Sequence, residues 1–206
     1  KKLLWKKNYG IVNGSGVNLR EYQFNGIPKS PIFSMIARIT ANKGVNEYIK
    51  AAFNVKKIYP NAIFNLIGPI DNDSLAVDKK LLREAIDKKV INLKGEVEDV
   101  RPYLEQCRIF VFPSYYEGTP RAVLEAMAMG RPIITTDAVG CRETVVNGLN
   151  GFKVPIKDVQ MLTEKMIWMI ENPVRVEKMG IESRKLCEVK FDVHKVNEVI
   201  INSIDL

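Results

Sequence analysis

The sequence contains few of the residues that build metal centres, disulfide frameworks and membrane spans. Its 206 residues include a single histidine, His194, and three widely separated cysteines, Cys107, Cys141 and Cys187. One histidine without neighbouring cysteines gives no support for a zinc site or a histidine-based triad. Three scattered cysteines are typical of free thiols in a cytosolic protein. No apolar run approaches the ~18 residues of a membrane helix.

The chain begins at Lys1 with neither an initiator methionine nor a signal-type pattern, so we expect a piece of a longer protein. Its net charge is +7, from 31 basic and 24 acidic residues. Such a charge has two interpretations: solvated helix faces, or a surface that faces phosphorylated ligands or an acidic lipid leaflet. No nucleic-acid-binding motif accompanies it, and we expect no nucleic acid partner.

Apolar segments typical of strands alternate with amphipathic segments typical of helices, and the last third is helical throughout. This alternation predicts βαβ units and a parallel sheet covered on both faces. The segment IFVFP is apolar at every position, as a strand buried on both sides should be. We therefore predict an α/β, Rossmann-like doubly wound sheet with C-terminal helices. Ligands of such sheets bind beyond the carboxyl ends of the strands. The corresponding loops are 38–44, 68–74, 94–99 and 113–120.

Two short motifs imitate known binding loops without completing them. NGSGVNL, residues 13–19, has glycines at 14 and 16, but a leucine stands where a dinucleotide loop has its third glycine. We interpret it as a turn. DND, residues 71–73, precedes Ser74, which we predict to cap the next helix; loop Asp and Asn residues usually make turns and caps. We therefore predict no metal site there.

The loop after the first strand carries two cations. In ARITANKGVNEYI, Arg38 ends a strand, and Lys43 and Gly44 open a helix. The carboxyl end of a strand and the amino end of a helix together favour an anion, and the two cations add charge-assisted contacts to phosphate oxygens. The alternative is an ordinary basic loop, and the spacing alone does not decide between them.

The segment PSYYEGTPRAVLEAMAMGRPIITT, residues 113–136, predicts a buried helix. Thr119 is the predicted N-cap and Pro120 the first helical residue. The helix is expected to end at Met129, with Gly130 as the C-cap.

Glu125 lies inside this apolar helix, and Glu117 lies in the loop before it. A buried, unpaired carboxylate would cost several kcal/mol, so Glu125 needs hydrogen-bond donors. They are supplied either by an internal ion pair with Arg121, one turn earlier, or by ligand hydroxyls, which acidic residues bind in ribose.

These residues resemble retaining glycosyltransferase family 4. The pattern E-x7-E, with EGTP after PS and followed by EAMAMGRPIITT, is similar to the signature of that family. IARITANKG resembles its G-R-x(4)-K-G phosphate loop, with Ala37 in place of the glycine. KGEVEDVRPYLEQCRIFVFPS and VGCRETVVNGLNGFKV follow in the family's order, and the resemblance runs from residue 11 to the end.

The resemblance implies a GT-B enzyme, in which two Rossmann-like domains face each other across a cleft, and identifies this chain as the C-terminal, donor-binding half. It implies that residues 1–26 are a remnant of the N-terminal domain, that 27–191 form the nucleotide-sugar-binding domain, and that 192–206 form a helix crossing back to the missing domain. We expect part of that helix's apolar stripe to be exposed. The stripe consists of Val193, Val196, Ile200 and Ile204.

The resemblance also implies a role for each motif residue. Arg38 and Lys43 would neutralise the diphosphate and Glu117 would contact the donor sugar, which makes these three the catalytic group. Glu125 would bind the ribose hydroxyls. The other donor-binding residues implied are Gly118, Thr119, Arg121 and Ala122 around the helix start, and Gly95 and Val97 beside the base.

The implied reaction transfers a sugar from a UDP-linked donor to a saccharide or polyprenyl-diphosphate-linked acceptor, with retention and without a metal or other cofactor. It would belong to capsule or other polysaccharide biosynthesis in the bacterial cytoplasm, with a peripheral contact at the inner face of the membrane. The fragment alone would be inactive. The alternative function is a non-catalytic nucleotide- or anion-binding module, against which the four intact charged residues argue. A nicotinamide-dependent enzyme is disfavoured by the incomplete glycine motif.

Overall fold

A single sheet of six parallel strands forms the centre of the protein. The computed structural model describes residues 14–70 and 77–204. Its strands are β1 (Ile32–Ile36), β2 (Ile63–Ile67), β3 (Asn92–Gly95), β4 (Ile109–Phe112), β5 (Ile133–Thr136) and β6 (Gly151–Val154). They lie in the order β3-β2-β1-β4-β5-β6, and every neighbouring pair is parallel. This order is that of a doubly wound, Rossmann-like sheet, which confirms the predicted fold class.

Helices cover both faces of the sheet. They are α1 (Val45–Ile58), α2 (Lys79–Asp87), α3 (Arg101–Gln106), α4 (Arg121–Ala128), α5 (Val159–Glu171), α6 (Pro173–Lys190) and α7 (Val193–Ile204), with 3-10 turns at Ala41–Lys43 and Arg142–Thr144. Residues of α1, α2 and α5 share one apolar cluster, and residues of α3 and α4 share another. None of the helices within residues 14–70 and 77–204 combines the length and the hydropathy that a membrane span requires.

Strand β4 has an apolar residue at every position because both of its faces are covered. Ile109 and Val111 pack into the cluster with α1, whereas Phe110 and Phe112 pack into the cluster with α4. Successive side chains of a strand point to opposite faces, so a strand covered on both sides needs apolar residues throughout. Each such side chain contributes about 1.5–3 kcal/mol when fully buried.

Helix ends differ from the prediction in their details. The predicted cap Ser74 lies outside the described residues, and Asp78 caps α2 by accepting hydrogen bonds from the backbone amides of Lys80 and Leu81. The prediction of Thr119 as N-cap of α4 is wrong. Pro120 occupies that position, because its extended backbone leaves its carbonyl to accept the first hydrogen bonds of the helix.

The far end of α4 is also shorter by one residue than predicted. Met129 is the C-cap, and Gly130 follows it in the left-handed conformation, with φ of 74°. Glycine adopts this conformation without the Cβ clash of other residues and commonly stands one position past a helix end. The glycine signal therefore located the helix end correctly to within a residue.

Residues 14–26 pack against the same unit as the sheet. Val17 and Tyr22 belong to the buried core, and the amide of Val17 donates to the carbonyl of Phe191 at 2.8 Å. The guanidinium of Arg131 donates to the carbonyl of Gly26 at 2.6 Å. The assignment of residues 1–26 to another domain stays a prediction, but their described part is held by this one.

The apolar stripe of α7 is partly covered. Val196 is buried, whereas Val193 and Ile200 are half-buried, and the side chain of Ile204 lies outside the described part. Val199 and Ile201, on the same helix, are 46% and 56% exposed. None of the three stripe residues that the structure describes is fully exposed, so both the exposure of the stripe and its contact with a second domain stay predictions.

We expect the three cysteines to resist alkylation in the native protein. All are buried free thiols, and burial raises the pKa of Cys107 to about 11 and of Cys187 to about 12. Burial also raises the pKa of Cys141. Because only the thiolate reacts, iodoacetamide at pH 8 should label none before unfolding and all three in urea. Mass spectrometry counts the labels, and rapid native labelling of any of the three contradicts the structure.

We expect Gly68→Ala to destabilise the fold strongly. Gly68 has φ of 137°, and an added Cβ would lie 1.9 Å from the carbonyl oxygen of Ala37. Backbone strain and overpacking together should lower the free energy of unfolding by about 3 kcal/mol. Gly26→Ala is the matched control, since Gly26 also has positive φ but no atom within 4 Å of the added Cβ. Urea unfolding measures the free energy of unfolding of both variants. If both lose the same amount, the close contact between Gly68 and Ala37 is not what makes the substitution costly.

Candidate functional site

The candidate site lies where the connections of β1 and β4 leave the sheet in opposite directions. The two strands are hydrogen-bonded neighbours, with Phe33 paired to Ile109. The loop after β1 leads to α1 on one face, and the loop after β4 leads to α4 on the other. A crevice therefore opens at the carboxyl edge, which is where ligands bind to doubly wound sheets.

A cavity of about 310 Å³ occupies this crevice. Five of the predicted residues line it: Arg38, Val97, Arg121, Ala122 and Glu125. Its other lining residues are Ile36, Ala37, Ile67, Gly68, Pro69, Glu96 and Val100. Hollows of about 560 and 640 Å³ lie elsewhere, along α6 and α2, and none of the predicted site residues lines either of them.

Glu125 is buried but has a partner within the protein. Its residue is 7% exposed, and its Oε1 accepts a hydrogen bond from the Nε of Arg121 at 2.9 Å. Burial and the negative charge of the neighbouring Glu125 raise the pKa of Tyr22 to about 12. The carboxylate therefore has the internal ion pair considered from the sequence and also lines the cavity. The two interpretations are compatible in the ligand-free protein.

Tyr22 is a site residue that the sequence did not indicate. With Arg121 and Glu125 it lines a second hollow, of about 420 Å³, next to the first. The only signal for it was an aromatic residue within the segment assigned to another domain. Its proximity to Glu125 depends on how residues 14–26 pack, which no local pattern in the sequence encodes.

Lys43 and Glu117 meet each other beside the cavity. Lys43 Nζ lies 2.6 Å from Glu117 Oε1, and the two side chains are 16% and 14% exposed. The hydroxyl of the fully buried Ser114 donates to the same oxygen at 2.6 Å. The loops that carry them are held together, since the amide of Tyr115 donates to the carbonyl of Asn42 at 2.9 Å. Glu117 is thus fixed in place by two donors.

A buried acid beneath this pair was also missed. Glu47, in the first turn of α1, is 8% exposed, and its Oε2 is a buried atom without a hydrogen-bond partner among the described residues. Burial and the neighbouring Glu47 carboxylate raise the pKa of Tyr115.

The structure separates some predicted residues from the cavity. Gly95 ends β3, and its carbonyl accepts a hydrogen bond from the amide of Gly68 at 2.7 Å. Thr119 packs against Gly14, where an added Cβ would meet its side chain. The carbonyl of Gly118 lies close to Gly140. These three residues stand around the cavity without lining it, and neither Lys43 nor Glu117 lines it.

The four charged residues predicted from the sequence thus share one edge of the sheet. Arg38, which is exposed, and Glu125 line the same cavity, whereas Lys43 and Glu117 form a pair on the loops of the same two strands. No group of three or more His, Cys, Asp or Glu residues suited to a metal ion occurs within residues 14–70 and 77–204. Fold and site together define a Rossmann-like domain with a crevice at its switch point, in which Arg38, Arg121 and Glu125 stand among mostly apolar residues.

The family follows from comparison with known proteins. The model of the family described as glycosyl transferases group 1 matches residues 20–186. The chain belongs to this family.

Two relatives carry specific names. The chain is 35% identical over 146 residues to N,N'-diacetylbacillosaminyl-diphospho-undecaprenol alpha-1,3-N-acetylgalactosaminyltransferase of Campylobacter jejuni, covering 71% of the chain and 37% of the relative. It is 31% identical over 161 residues to the capsular polysaccharide biosynthesis glycosyltransferase CapM of Staphylococcus aureus, covering 78% and 42%. The chain therefore spans less than half the length of either relative.

Solved structures share the fold. Anabaena HepE, solved in complex with UDP, superposes with a TM-score of 0.83 at 20% identity, over 92% of this chain and 56% of that one. S. aureus TarM, solved with Fondaparinux, alpha-GlcNAc-glycerol and UDP, superposes with a TM-score of 0.79 at 22% identity, over 88% and 37%. At these identities the likeness concerns the fold alone.

We expect the Lys43–Glu117 pair to contribute more than an exposed pair. A double-mutant cycle with Lys43→Met and Glu117→Gln should give a coupling of about 1–2 kcal/mol, because both side chains are largely buried. The Lys88–Glu84 pair on α2, with side chains 62% and 46% exposed, is the control and should give about 0.3–0.5 kcal/mol. Urea unfolding measures both cycles. If the two cycles gave the same coupling energy, the Lys43–Glu117 pair would be screened by solvent as strongly as the exposed pair on α2.

Proposed function

We propose that this chain is the C-terminal, donor-binding domain of a retaining glycosyltransferase of the GT-B type. It would bind a UDP-linked sugar and act in the synthesis of a cell-surface polysaccharide. The observation that carries the proposal is the grouping of Arg38, the first residues of α4 and Glu125 around one cavity at the switch point. A nucleoside diphosphate needs a cation and helix amides for its phosphates and an acid for its ribose, and these groups line a single space.

The diphosphate would lie against the amino end of α4. Arg121 and Ala122 begin that helix and line the cavity, and a helix terminus of this kind favours negative charge. Arg38 adds a guanidinium from the neighbouring loop. As the sugar leaves, charge grows on the diphosphate, and donors already in place stabilise it without reorganisation. On this proposal the reaction requires no metal ion.

The ribose would lie beside Glu125. Its carboxylate is held on one side by Arg121, whose own side chain is 75% exposed. Such an exposed partner is exchanged at little cost, so ligand hydroxyls can take its place as donors. Val97 and Glu96, on the loop after β3, would lie beside the base.

The donor sugar would meet Glu117. Because Lys43 and Ser114 both donate to its Oε1, this carboxylate is oriented and restrained. A restrained carboxylate is suited to accept hydrogen bonds from sugar hydroxyls, and we assign it no role as a covalent nucleophile. Transfer with retention would then proceed by attack from the same face as the departing diphosphate.

The acceptor is a saccharide or a polyprenyl-diphosphate-linked sugar in this proposal. The names of two relatives support this choice of acceptor. The name of the Campylobacter enzyme contains an undecaprenol-linked diphosphate sugar, and the name of the Staphylococcus protein refers to capsular polysaccharide. An N-terminal domain beyond this chain would supply the acceptor site, so the fragment alone would be inactive. The net positive charge fits a peripheral contact with the inner face of the cytoplasmic membrane.

The alternative is a non-catalytic module that binds a nucleotide or another anion. The buried Lys43–Glu117 pair argues against it, since a module that only holds a nucleotide has no use for a restrained carboxylate beyond the phosphates. Binding of UDP but not of UDP-sugars by the full-length protein, together with no transfer to any acceptor, would favour the module.

Calorimetry with UDP, GDP and NAD tests the donor site directly. We expect UDP to bind and Glu125→Ala to weaken that binding by at least ~10-fold, because hydrogen bonds to a charged acceptor are lost. The free energy of unfolding should change by no more than about 1 kcal/mol, since the lost partner Arg121 is exposed. The control Glu84→Ala breaks a similar i,i+4 pair on α2 and should leave binding unchanged.

Two results would overturn the proposal. One is a correctly folded chain that binds none of the three nucleotides. The other is a Glu125→Ala variant that loses stability strongly while its UDP affinity stays the same, which would make the ion pair with Arg121 purely structural.

A further inference from the structure

The loop after β4, which carries Glu117, is held by the loops that follow the two neighbouring strands. On the β1 side, the amide of Tyr115 donates to the carbonyl of Asn42 at 2.9 Å. On the β5 side, the amide of Glu117 donates to the carbonyl of Val139 at 3.0 Å. Gly140 lies so close that an added Cβ would be 2.2 Å from the carbonyl oxygen of Glu117. The backbone of this loop is therefore fixed from both sides.

Ser114 connects this fixed backbone to the side chain of Glu117. Ser114 is fully buried, and its Oγ lies 2.6 Å from Glu117 Oε1, a length typical of a hydroxyl that donates to a carboxylate. The carbonyl oxygens of Asn42 and Tyr116 are farther from this Oγ, at 3.3 Å each. A hydroxyl has one proton to donate, so the short contact identifies Glu117 as its acceptor.

Thr136, on β5, holds Ser114 in turn. The hydroxyl of this buried threonine donates to the carbonyl of Ser114. The preceding residue, Thr135, makes the same kind of bond to the carbonyl of Phe112, the last residue of β4, at 2.7 Å. Two adjacent threonines thus hold successive parts of the neighbouring chain, and the bond from Thr136 is the one that reaches the loop of Glu117.

The two donors to Glu117 differ in mobility. Lys43 reaches Oε1 at 2.6 Å from a side chain that is 16% exposed and carried on a flexible four-carbon stem. Ser114 has a short side chain that is enclosed by protein. A diphosphate in the crevice would compete with Glu117 for the ammonium of Lys43, whereas the buried hydroxyl of Ser114 would stay in place. Both bonds are made to Oε1, which leaves the acceptor positions of Oε2 for a sugar hydroxyl.

We propose that Ser114 is a positioning residue for the donor sugar: its buried hydroxyl, held from β5 through Thr136, directs the carboxylate of Glu117 toward the sugar hydroxyls. This inference rests on the proposed function, and it names the residues on which the sugar half of that site depends. Its support is the unbroken series of hydrogen bonds from Thr136 through Ser114 to Glu117. Because Ser114 is fully buried, it acts on the sugar through Glu117 and is not a catalytic residue.

The test compares UDP with a UDP-sugar in the wild-type chain and in Ser114→Ala. The UDP-sugar is whichever of UDP-glucose, UDP-N-acetylglucosamine and UDP-N-acetylgalactosamine binds the wild-type chain most tightly. We expect Ser114→Ala to weaken its binding about 5–10-fold, because the carboxylate of Glu117 loses one of its two donors. Binding of UDP should change by less than about 2-fold, since UDP lacks the transferred sugar. Calorimetry on the 206-residue chain measures the four affinities.

This comparison separates positioning from general support of the loop. The loop leads directly into α4, whose first residues line the cavity proposed for the diphosphate. Loosening of the whole loop would therefore weaken UDP as much as the UDP-sugar, and that result would overturn the positioning role.

The two adjacent threonines of β5 provide a matched pair of variants. Thr136→Val removes the hydroxyl that holds Ser114 and should also weaken the UDP-sugar selectively, by about 2–5-fold. Thr136→Ser keeps that hydroxyl and should bind like the wild type. Thr135→Val removes the neighbouring hydroxyl, which bonds to strand β4, and should leave both affinities unchanged.

Ser183→Ala is the control for the loss of a buried serine hydroxyl. Ser183, on α6, is fully buried, and its Oγ has no hydrogen-bond partner within residues 14–70 and 77–204. This variant should change neither affinity. In a Glu117→Ala background, Ser114→Ala should add no further loss for the UDP-sugar. Thermal unfolding checks that each variant retains the fold.

Each other outcome contradicts a specific statement. Unchanged binding of the UDP-sugar in Ser114→Ala would overturn the positioning role while leaving the proposed function intact. A further loss in the Glu117→Ala background would show that Ser114 does not act through Glu117. A folded wild-type chain that binds UDP but none of the three UDP-sugars would overturn the inference, because Glu117 would then contact no sugar. Failure of that chain to bind UDP would overturn the proposed function itself, and this inference with it.

Discussion

The pairing of β1 with β4 is the constraint on which the site depends. Phe33 and Ser34 of β1 pair with Ile109 and Phe110 of β4, so two strands distant in sequence end side by side. The loops that follow these strands diverge, because the helices α1 and α4 to which they lead lie on opposite faces of the sheet. The crevice is a consequence of this connectivity and exists before any polar residue is placed in it. The side chains then decide what it binds.

Two acids at the crevice are largely withdrawn from water and have defined donors: Glu125 accepts from Arg121, and Glu117 accepts from Lys43 and Ser114. Burying a carboxylate without donors would cost several kcal/mol, so these partners are needed for the fold as well as for binding. The same hydrogen bonds restrict the rotamers of the acids, which gives a ligand preoriented acceptors. Stability and recognition here use the same contacts.

Membership of the glycosyl transferase group 1 family gives these contacts their context. The chain spans only 37% and 42% of the two named relatives, so half or more of each relative has no counterpart in it. The edge of the sheet that carries Arg38, Lys43, Glu117 and Glu125 is the edge that a second domain would face in the proposed enzyme. The partly exposed apolar residues of α7 are consistent with such an arrangement.

The sequence by itself determined the class of fold, because apolar strands such as β4 and the regular alternation with helices allow few other architectures. It also located the charged loops, since strand ends and helix starts are local features. Only the tertiary structure decided which of those residues share a space. Lys43 pairs with Glu117 across 74 positions, and Tyr22 lines a hollow together with Glu125 although its segment was assigned to another domain. Such contacts depend on strand order and on the packing of distant segments, which no local pattern specifies. The cap of α4 differed for a smaller reason, since Pro120 suits either of two adjacent positions at a helix start.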